Sequence, residues 1–245
     1  VSEDFCGAGR MKVLLMGNPN VGKSVVFTRL TGVNVVASNY PGTTVEFTKG
    51  IAKIDGEKAE IIDVPGTYSL EPTSKAEEVA REMFVTENPD VVINVVDATA
   101  LERNLYLTLQ LLEYDVPVVM ILNMWDVAHR KGITIDAEAL SALLTIPVVP
   151  TVAVTGEGIK QLVDTLLNVE RSAHEALSDD EKWKYIGEIT KKVQKVEHKH
   201  PSLLEKLEDA SIKPVSGILI ALLVVYLSFT IIRIMGEGLI SVITP

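Results

Sequence analysis

Residues Gly17–Ser24, reading GNPNVGKS, have the types and spacing needed to hold a run of phosphates. They make a complete G-x-x-x-x-G-K-[ST] loop between the apolar run Lys12–Met16 and a helix-like stretch, Val25–Thr31. In that strand–loop–helix context, successive main-chain N–H groups and the helix N-terminus form a concave anion site. Gly17 and Gly22 let the backbone approach the phosphates, with Asn18, Pro19, Asn20 and Val21 as the wall between them. Lys23 can reach the β and γ oxygens, and the Ser24 hydroxyl can sit on Mg²⁺. The ligand implied is a nucleoside triphosphate.

Three further groups fit such a ligand. Gly42, Thr43 and Thr44 follow Asn39-Tyr-Pro in a stretch, Val33–Phe47, that has little periodicity and reads as a mobile loop. A hydroxyl there, Thr44 above all, can complete the Mg²⁺ shell beside the γ-phosphate, so that only the triphosphate holds the loop. Two β-forming threonines entering a strand are the competing reading. Asp63-Val64-Pro65-Gly66 sets a carboxylate and then a glycine at the end of a strand pattern. Asp63 can hold Mg²⁺ through water, and the Gly66 N–H can bond the γ-phosphate and signal its loss; ordinary turn chemistry is the alternative. Asn123-Met124-Trp125-Asp126 supplies base recognition. An aspartate there accepts from N1–H and the exocyclic amine of guanine, a pattern adenine lacks, and unpaired buried polar groups penalise the wrong base. A main-chain N–H within Val152-Ala153-Val154 should meet guanine O6. Asn20, Lys23, Thr44 and Gly66 are the candidate catalytic residues, and Ser24, Thr44 and Asp63 the candidate Mg²⁺ ligands.

The elements that must position these groups alternate along the chain. Strand patterns occupy Val13–Met16, Phe47–Ile54, Ala59–Val64, Val91–Val96, Val118–Leu122 and Val148–Val152. Helical patterns occupy Lys23–Thr31, Ser74–Val85, Leu101–Glu113, Ala137–Leu144 and Gly158–Val169. Buried apolar strands separated by helices predict an α/β fold, a mostly parallel sheet covered on both faces. In such sheets the ligand sits at the carboxyl ends of the strands, where all the candidate binding residues fall.

At 245 residues, with 47% hydrophobic residues, the chain holds one large domain plus an appendage, and a membrane segment is to be sought. The formal charge of −10 argues against a nucleic-acid surface. The lone Cys6 excludes a disulfide framework and fits a reducing compartment. No signal-peptide pattern is seen, and residues 1–10 precede Met11 as an extension outside the fold. From Glu170 to Asp209 the chain turns charged, with helical patterns at Asp179–His198 and Ser202–Glu208 broken at Pro201. A solvated helical appendage is expected, Lys191, Lys192 and Lys195 on its wet face. His198-x-His200 does not put two ligands on one helix face. Val215–Ile232 is uncharged and reaches the length of a membrane-spanning helix, a buried core helix being the competing reading. Lys206 and Lys213 before it favour a cytoplasmic N-terminal side. Three segments are expected: residues 11–170, 171–212 and 213–245.

With these residues in place, Met11 to about Leu239 resembles the N-terminal part of the FeoB family, the prokaryotic ferrous-iron transport GTPases. The most specific stretches are GNPNVGKS, DVPGTYSLEPTS at Asp63–Ser74 and VVDATALERNLYLTLQLLE at Val95–Glu113. The NMxD base motif matches Asn123–Asp126. Val25-Val26-Phe27-Thr28 departs from the usual TLFN-like run, which bears on packing rather than on ligands. The resemblance implies a P-loop, Ras-like GTPase domain on the cytoplasmic face of the inner membrane, a small helical domain, and a polytopic membrane domain that passes Fe²⁺. Implied ligands are GTP/GDP, Mg²⁺ and K⁺. Asn20 would hold K⁺ against the phosphates, as its counterpart does in related potassium-activated GTPases. Expected partners are the bilayer, the rest of the membrane domain, further copies of the chain and a small accessory protein. Where Ras-like GTPases place a water-orienting glutamine this chain has Thr67, so hydrolysis is expected to be slow without added charge. A membrane-tethered switch that recruits a partner is the alternative. A soluble GTPase acting on ribosomes or tRNA is disfavoured by the acidic charge.

Overall fold

The computed structural model describes residues 10–32, 35–172, 176–197 and 210–243. Strands β1 (Met11–Gly17), β2 (Val35–Asn39), β3 (Glu46–Ile54), β4 (Glu57–Asp63), β5 (Val91–Asp97), β6 (Val118–Asn123) and β8 (Val148–Pro150) build one sheet in the order β2-β3-β4-β1-β5-β6-β8. The five strands from β4 to β8 run parallel, and β2 and β3 extend that sheet as an antiparallel edge. Helices α1 (Lys23–Thr31), α2 (Lys75–Glu87), α3 (Leu101–Leu112), α4 (Trp125–Arg130), α5 (Ala137–Leu144) and α6 (Ile159–Leu166) follow or separate the strands.

Alternation along the central strands divides the core into two layers. Leu14, Met16, Ile62, Val92, Met120 and Leu122 face a cluster with α2, α3 and α5, whereas Val13, Leu15, Ile61, Ile93, Val119 and Ile121 face Val26 and Phe27 of α1 and Leu162 and Leu166 of α6. All the strand residues just named are fully buried, each worth about 1.5–3 kcal/mol on removal from water. The apolar runs are continuous because both faces are covered, as the sequence predicted.

Two elements depart from expectation. The segment read as a mobile loop carries β2, in register with Glu46–Gly50 of β3. All five β2 residues are exposed, so no burial periodicity marked the strand; it is held by ladder hydrogen bonds to β3, the next strand in the chain. The helical pattern expected to run to His198 ends earlier, as α7 (Asp179–Val193), and Gln194–Val196 becomes β9. β9 pairs antiparallel with β7 (Ile133–Ile135), a partner far away in sequence.

The α7 helix is also less solvated than expected. Lys191, Lys192 and Lys195 are exposed, but Ile186, Ile189 and Val193 are buried in the larger core cluster. Lys182 is 5% exposed and pairs with Glu113 at 3.0 Å, just past the end of α3. Tyr106 of α3 stacks on Trp183 at 5.1 Å and donates its hydroxyl to Asp179 at 2.8 Å. Burial, with Asp179 beside it, pushes Tyr106 up to about 12.

The chain divides into two compact units, Val1–Glu197 and His198–Pro245. In the second, helix α8 spans Pro214–Ile243. Its stretch Ser216–Met235, with mean hydropathy 2.5 and none of it buried, is long and apolar enough to cross a membrane. The Ser202–Glu208 pattern and the His198/His200 pair lie outside the described residues.

Candidate nucleotide site

Because β1, β4, β5, β6 and β8 are parallel, their carboxyl ends share one edge of the sheet. That edge carries Gly17–Ser24 after β1, Asp63–Gly66 at the end of β4, Asn123–Asp126 after β6 and Thr151–Val154 after β8.

At the phosphate end, α1 opens on Lys23 and Ser24, its N-cap Gly22 lying in the left-handed region at φ 89°. A Cβ on Gly22 would fall 2.4 Å from Asn123 Nδ2, so only glycine lets the base motif seat against this loop. A Cβ on Gly66 would meet Pro19 Cα at 2.9 Å and Lys23 Nζ at 3.2 Å. The Gly66 backbone therefore lies directly on the Gly17–Ser24 loop. Lys23 is 9% exposed; burial lowers its pKa, and Asp63 opposes the shift. Burial raises the Asp63 carboxyl above the usual range, against the pull of Lys23 and the Ser24 hydrogen bond. Burial thus works against the charged form of each group, and each charge draws the other back toward its ionised form.

Ser24 Oγ donates to Asp63 Oδ2 at 3.2 Å, and Asp63 Oδ1 is buried with no partner. Two hard oxygen donors, one unsatisfied, fit Mg²⁺. Asn18 is buried, its Nδ2 donating to Arg103 O at 3.5 Å and its Oδ1 left without a partner. Asn20 is exposed and left-handed, φ 65°. Thr67, where a water-orienting glutamine would stand, is fully buried and donates its hydroxyl to Ser69 O at 2.5 Å. It is occupied within its own turn.

Asn123 fastens the base end to the phosphate end. Its Nδ2 donates to Val21 O at 2.8 Å, and its Oδ1 accepts from the Ala153 N–H at 3.0 Å. Met124 takes a left-handed conformation, φ 59°, and Trp125 N–H donates to Thr151 O at 3.3 Å. Asp126, at the start of α4, accepts from Arg130 at 2.9 Å. Gly42, Thr43 and Thr44 are not drawn in. Thr43 Oγ1 donates to Tyr40 O at 3.0 Å and accepts from Val45 N–H at 3.2 Å, closing a local turn, and Thr44 is exposed. Among the described residues no hydrogen bond joins these three to the phosphate loop. The Tyr40 hydroxyl bonds instead to Glu82 and Thr86 of α2, and burial together with Glu82 raises its pKa.

Sequence reasoning missed the groups that brace these loops. Glu77 accepts from the Tyr68, Thr73 and Ser74 N–H groups at 3.5, 3.0 and 3.1 Å and from Thr73 Oγ1 at 2.6 Å. Gln110 Oε1 accepts from Leu70 N–H at 2.7 Å, and Arg103 lies 4.3 Å over the Tyr68 ring. The spacing Ser74-x-x-Glu77 is a capping-box signature and was open to reading; the other two contacts span too much sequence to leave a local mark.

A family model described as Ferrous iron transport protein B matches residues 11–166. The chain belongs to the FeoB family. A Porphyromonas gingivalis Fe(2+) transport protein A/Fe(2+) transporter FeoB fusion protein is 49% identical over 168 residues, 68% of this chain and 20% of that one. The Fe(2+) transporter FeoB of Escherichia coli is 44% identical over 157 residues, 62% of this chain and 20% of the relative. The chain thus spans about a fifth of the length of the curated relatives it matches. Among solved structures, the cytosolic domain of L. pneumophila FeoB superposes with TM-score 0.72 at 34% identity, covering 76% of this chain and 100% of that one. A mutant S. thermophilus NFeoB bound to GDP gives TM-score 0.64 at 41% identity over 69% of this chain and 66% of that one. The T. maritima FeoB cytosolic domain in GMPPNP form gives 0.68 at 29% identity over 76% and 99%. Membership confirms the Ras-like G-domain fold read from the sequence.

Proposed function

We propose that this chain binds GTP and hydrolyses it to GDP and phosphate as the cytoplasmic end of a ferrous-iron transporter in the inner membrane, where nucleotide turnover gates or drives Fe²⁺ uptake. The observation that carries this reading is the gathering of four nucleotide-type motifs on one edge of the sheet in a FeoB-family chain. Residues 11–170 act as the GTPase domain, 171–212 as a helical domain, and 213–245 as the first membrane segment of a multi-pass whole. The L. pneumophila and T. maritima cytosolic domains, and the apolar stretch Ser216–Met235, support that division. Further copies of the chain and a FeoA-like accessory protein, fused to FeoB in the P. gingivalis relative, are the protein partners of this reading.

Main-chain amides of Gly17–Ser24 and the Lys23 ammonium hold the phosphates and take up charge as the γ-phosphoryl leaves. Ser24 and Asp63 would hold Mg²⁺, which would supply positive charge against the phosphates. Thr44 joins them once the triphosphate draws its loop inward, and the Gly66 N–H senses the γ-phosphate. Asp126 reads the guanine edge, and a main-chain N–H of Val152–Val154 reads O6. Calorimetry on the full chain in detergent with Mg²⁺ tests the reading: GDP and a non-hydrolysable GTP analogue are taken up and ATP is not, and Asp126→Asn moves the preference toward xanthine nucleotides. No uptake of guanine nucleotide overturns it.

With Thr67 engaged by Ser69, no side chain in that position orients water, so intrinsic hydrolysis is slow, and Asn20, exposed on the loop, recruits K⁺ to supply the missing charge. Hydrolysis runs faster in K⁺ than in Na⁺ at equal ionic strength, and Asn20→Ala abolishes the difference, measured by phosphate release. Equal rates in the two salts for the unmutated chain refute the K⁺ role.

A further inference from the structure

Arg29 stands in the last turn of α1, the helix whose first residues are Lys23 and Ser24. From sequence it reads as a basic residue complementing the negative end of a helix. Its side chain does something more specific. Nε donates to Ala153 O at 2.9 Å, and Nη2 donates to Val154 O. The guanidinium passes over Gly156, where an added Cβ would lie 3.8 Å from Nη1 and 3.9 Å from Cζ. A planar fork with fixed donors is gripping two successive carbonyls.

The loop so gripped is short and closed on itself. Val152 N–H donates to Glu157 O at 3.1 Å, and Thr155 and Gly156 N–H groups both donate to Val152 O, at 3.1 and 2.9 Å. Asn123 Oδ1 takes the Ala153 N–H from one side, and Arg29 takes the Ala153 carbonyl from the other. In a trans peptide the C=O and the following N–H point in opposite directions within one plane. Fixing the carbonyls of Ala153 and Val154 therefore fixes the directions of the Val154 and Thr155 N–H groups. The Thr155 N–H is already spent on Val152 O and the Ala153 N–H on Asn123, so the Val154 N–H is the donor whose direction a side chain of α1 sets for a ligand.

Resting on the nucleotide site proposed above, we infer that Arg29 is a positioning residue for guanine recognition, a clamp that presents the base-reading loop to O6 and so sets how long a guanine nucleotide stays bound. Lysine, with one point donor in place of a fork, reproduces the clamp only in part.

The test uses the full chain in detergent as unmutated protein, Arg29→Ala and Arg29→Lys, with fluorescent methylanthraniloyl-GDP and the corresponding 2-aminopurine nucleotide, which lacks O6. Stopped-flow displacement gives dissociation rates, and thermal melting of the ligand-free forms reports folding. Losing two charge-assisted bonds to the loop should speed GDP release about tenfold in Arg29→Ala, with Arg29→Lys in between. Release of the 2-aminopurine nucleotide, which cannot use the O6 contact, should change little. A GDP release rate within about twofold of the unmutated chain overturns the inference, as does equal acceleration for both nucleotides, which marks a merely structural role. Failure of the unmutated chain to bind GDP overturns the nucleotide reading itself, a result distinct from either.

Discussion

Asp63 shows how the site is poised before any ligand arrives. Its carboxyl is buried, one oxygen bonded to Ser24 and the other unsatisfied, and its pKa is raised. A raised carboxyl holds its proton to higher pH than the ~3.9 of a free aspartate, and a metal must displace that proton. Mg²⁺-dependent tightening of GTP binding should therefore fade on acidification while an ordinary aspartate would still be ionised. Asp63→Asn loses the tightening at neutral pH, and the gap between the two forms narrows as pH falls; titrations from pH 8 to about 5 check this, the nucleotide's own phosphate protonation being common to both. A gap that stays constant with pH would refute it. At this scale much was legible. Lys23, Ser24, Asp63, Gly66 and Asn123 fall together on one edge because each sits in a motif whose types and spacing carry its chemistry. Arg29 was not legible, because its partners are more than a hundred residues away and an arginine at a helix end has an ordinary explanation.

Elements matter here through what holds the loops between them. The stretch from Thr67 to Ser74 has little regular structure, yet Glu77, 8% exposed in the first turn of α2, collects three of its main-chain N–H groups. Burial alone would raise the Glu77 pKa, but the bonds from Thr73, Tyr68 and Ser74 outweigh it and hold the carboxyl below the usual range. For a depressed carboxylate the stabilisation is present above the unfolded pKa, ~4.3, and is lost as pH falls through the folded one. Glu77→Ala should cost about 1 kcal/mol at neutral pH by urea unfolding, with the difference closing below about pH 4; a pH-independent difference would assign the loss to packing of the side chain instead of its charge. The parallel strands were read correctly because burial on both faces writes itself into the sequence as apolar runs. β2, β7 and β9 were not: β2 is exposed throughout and so carries no burial pattern, and β7 and β9 are three-residue strands whose partners lie far along the chain.

For the molecule as a whole, the division after Glu197 separates a unit with its own buried core from one whose apolar helix α8 leaves Ser216–Met235 uncovered. A chain ending at Glu197 should stay in solution without detergent and bind GDP as the full chain does, whereas the full chain should partition into vesicles; flotation and calorimetry check both. Loss of GDP binding in the shorter chain would place essential contacts beyond Glu197. Within the first unit, the ion pair of Lys182 with Glu113 carries a consequence for how α7 can move. Lys182 lies 5.9 Å from the Tyr106 ring and is almost fully buried. Parting α7 from α3 would leave its ammonium with Asp179 of its own helix, 3.8 Å away, as its remaining carboxylate. That loss ties α7 to the rest of the unit more firmly than an exposed ion pair could.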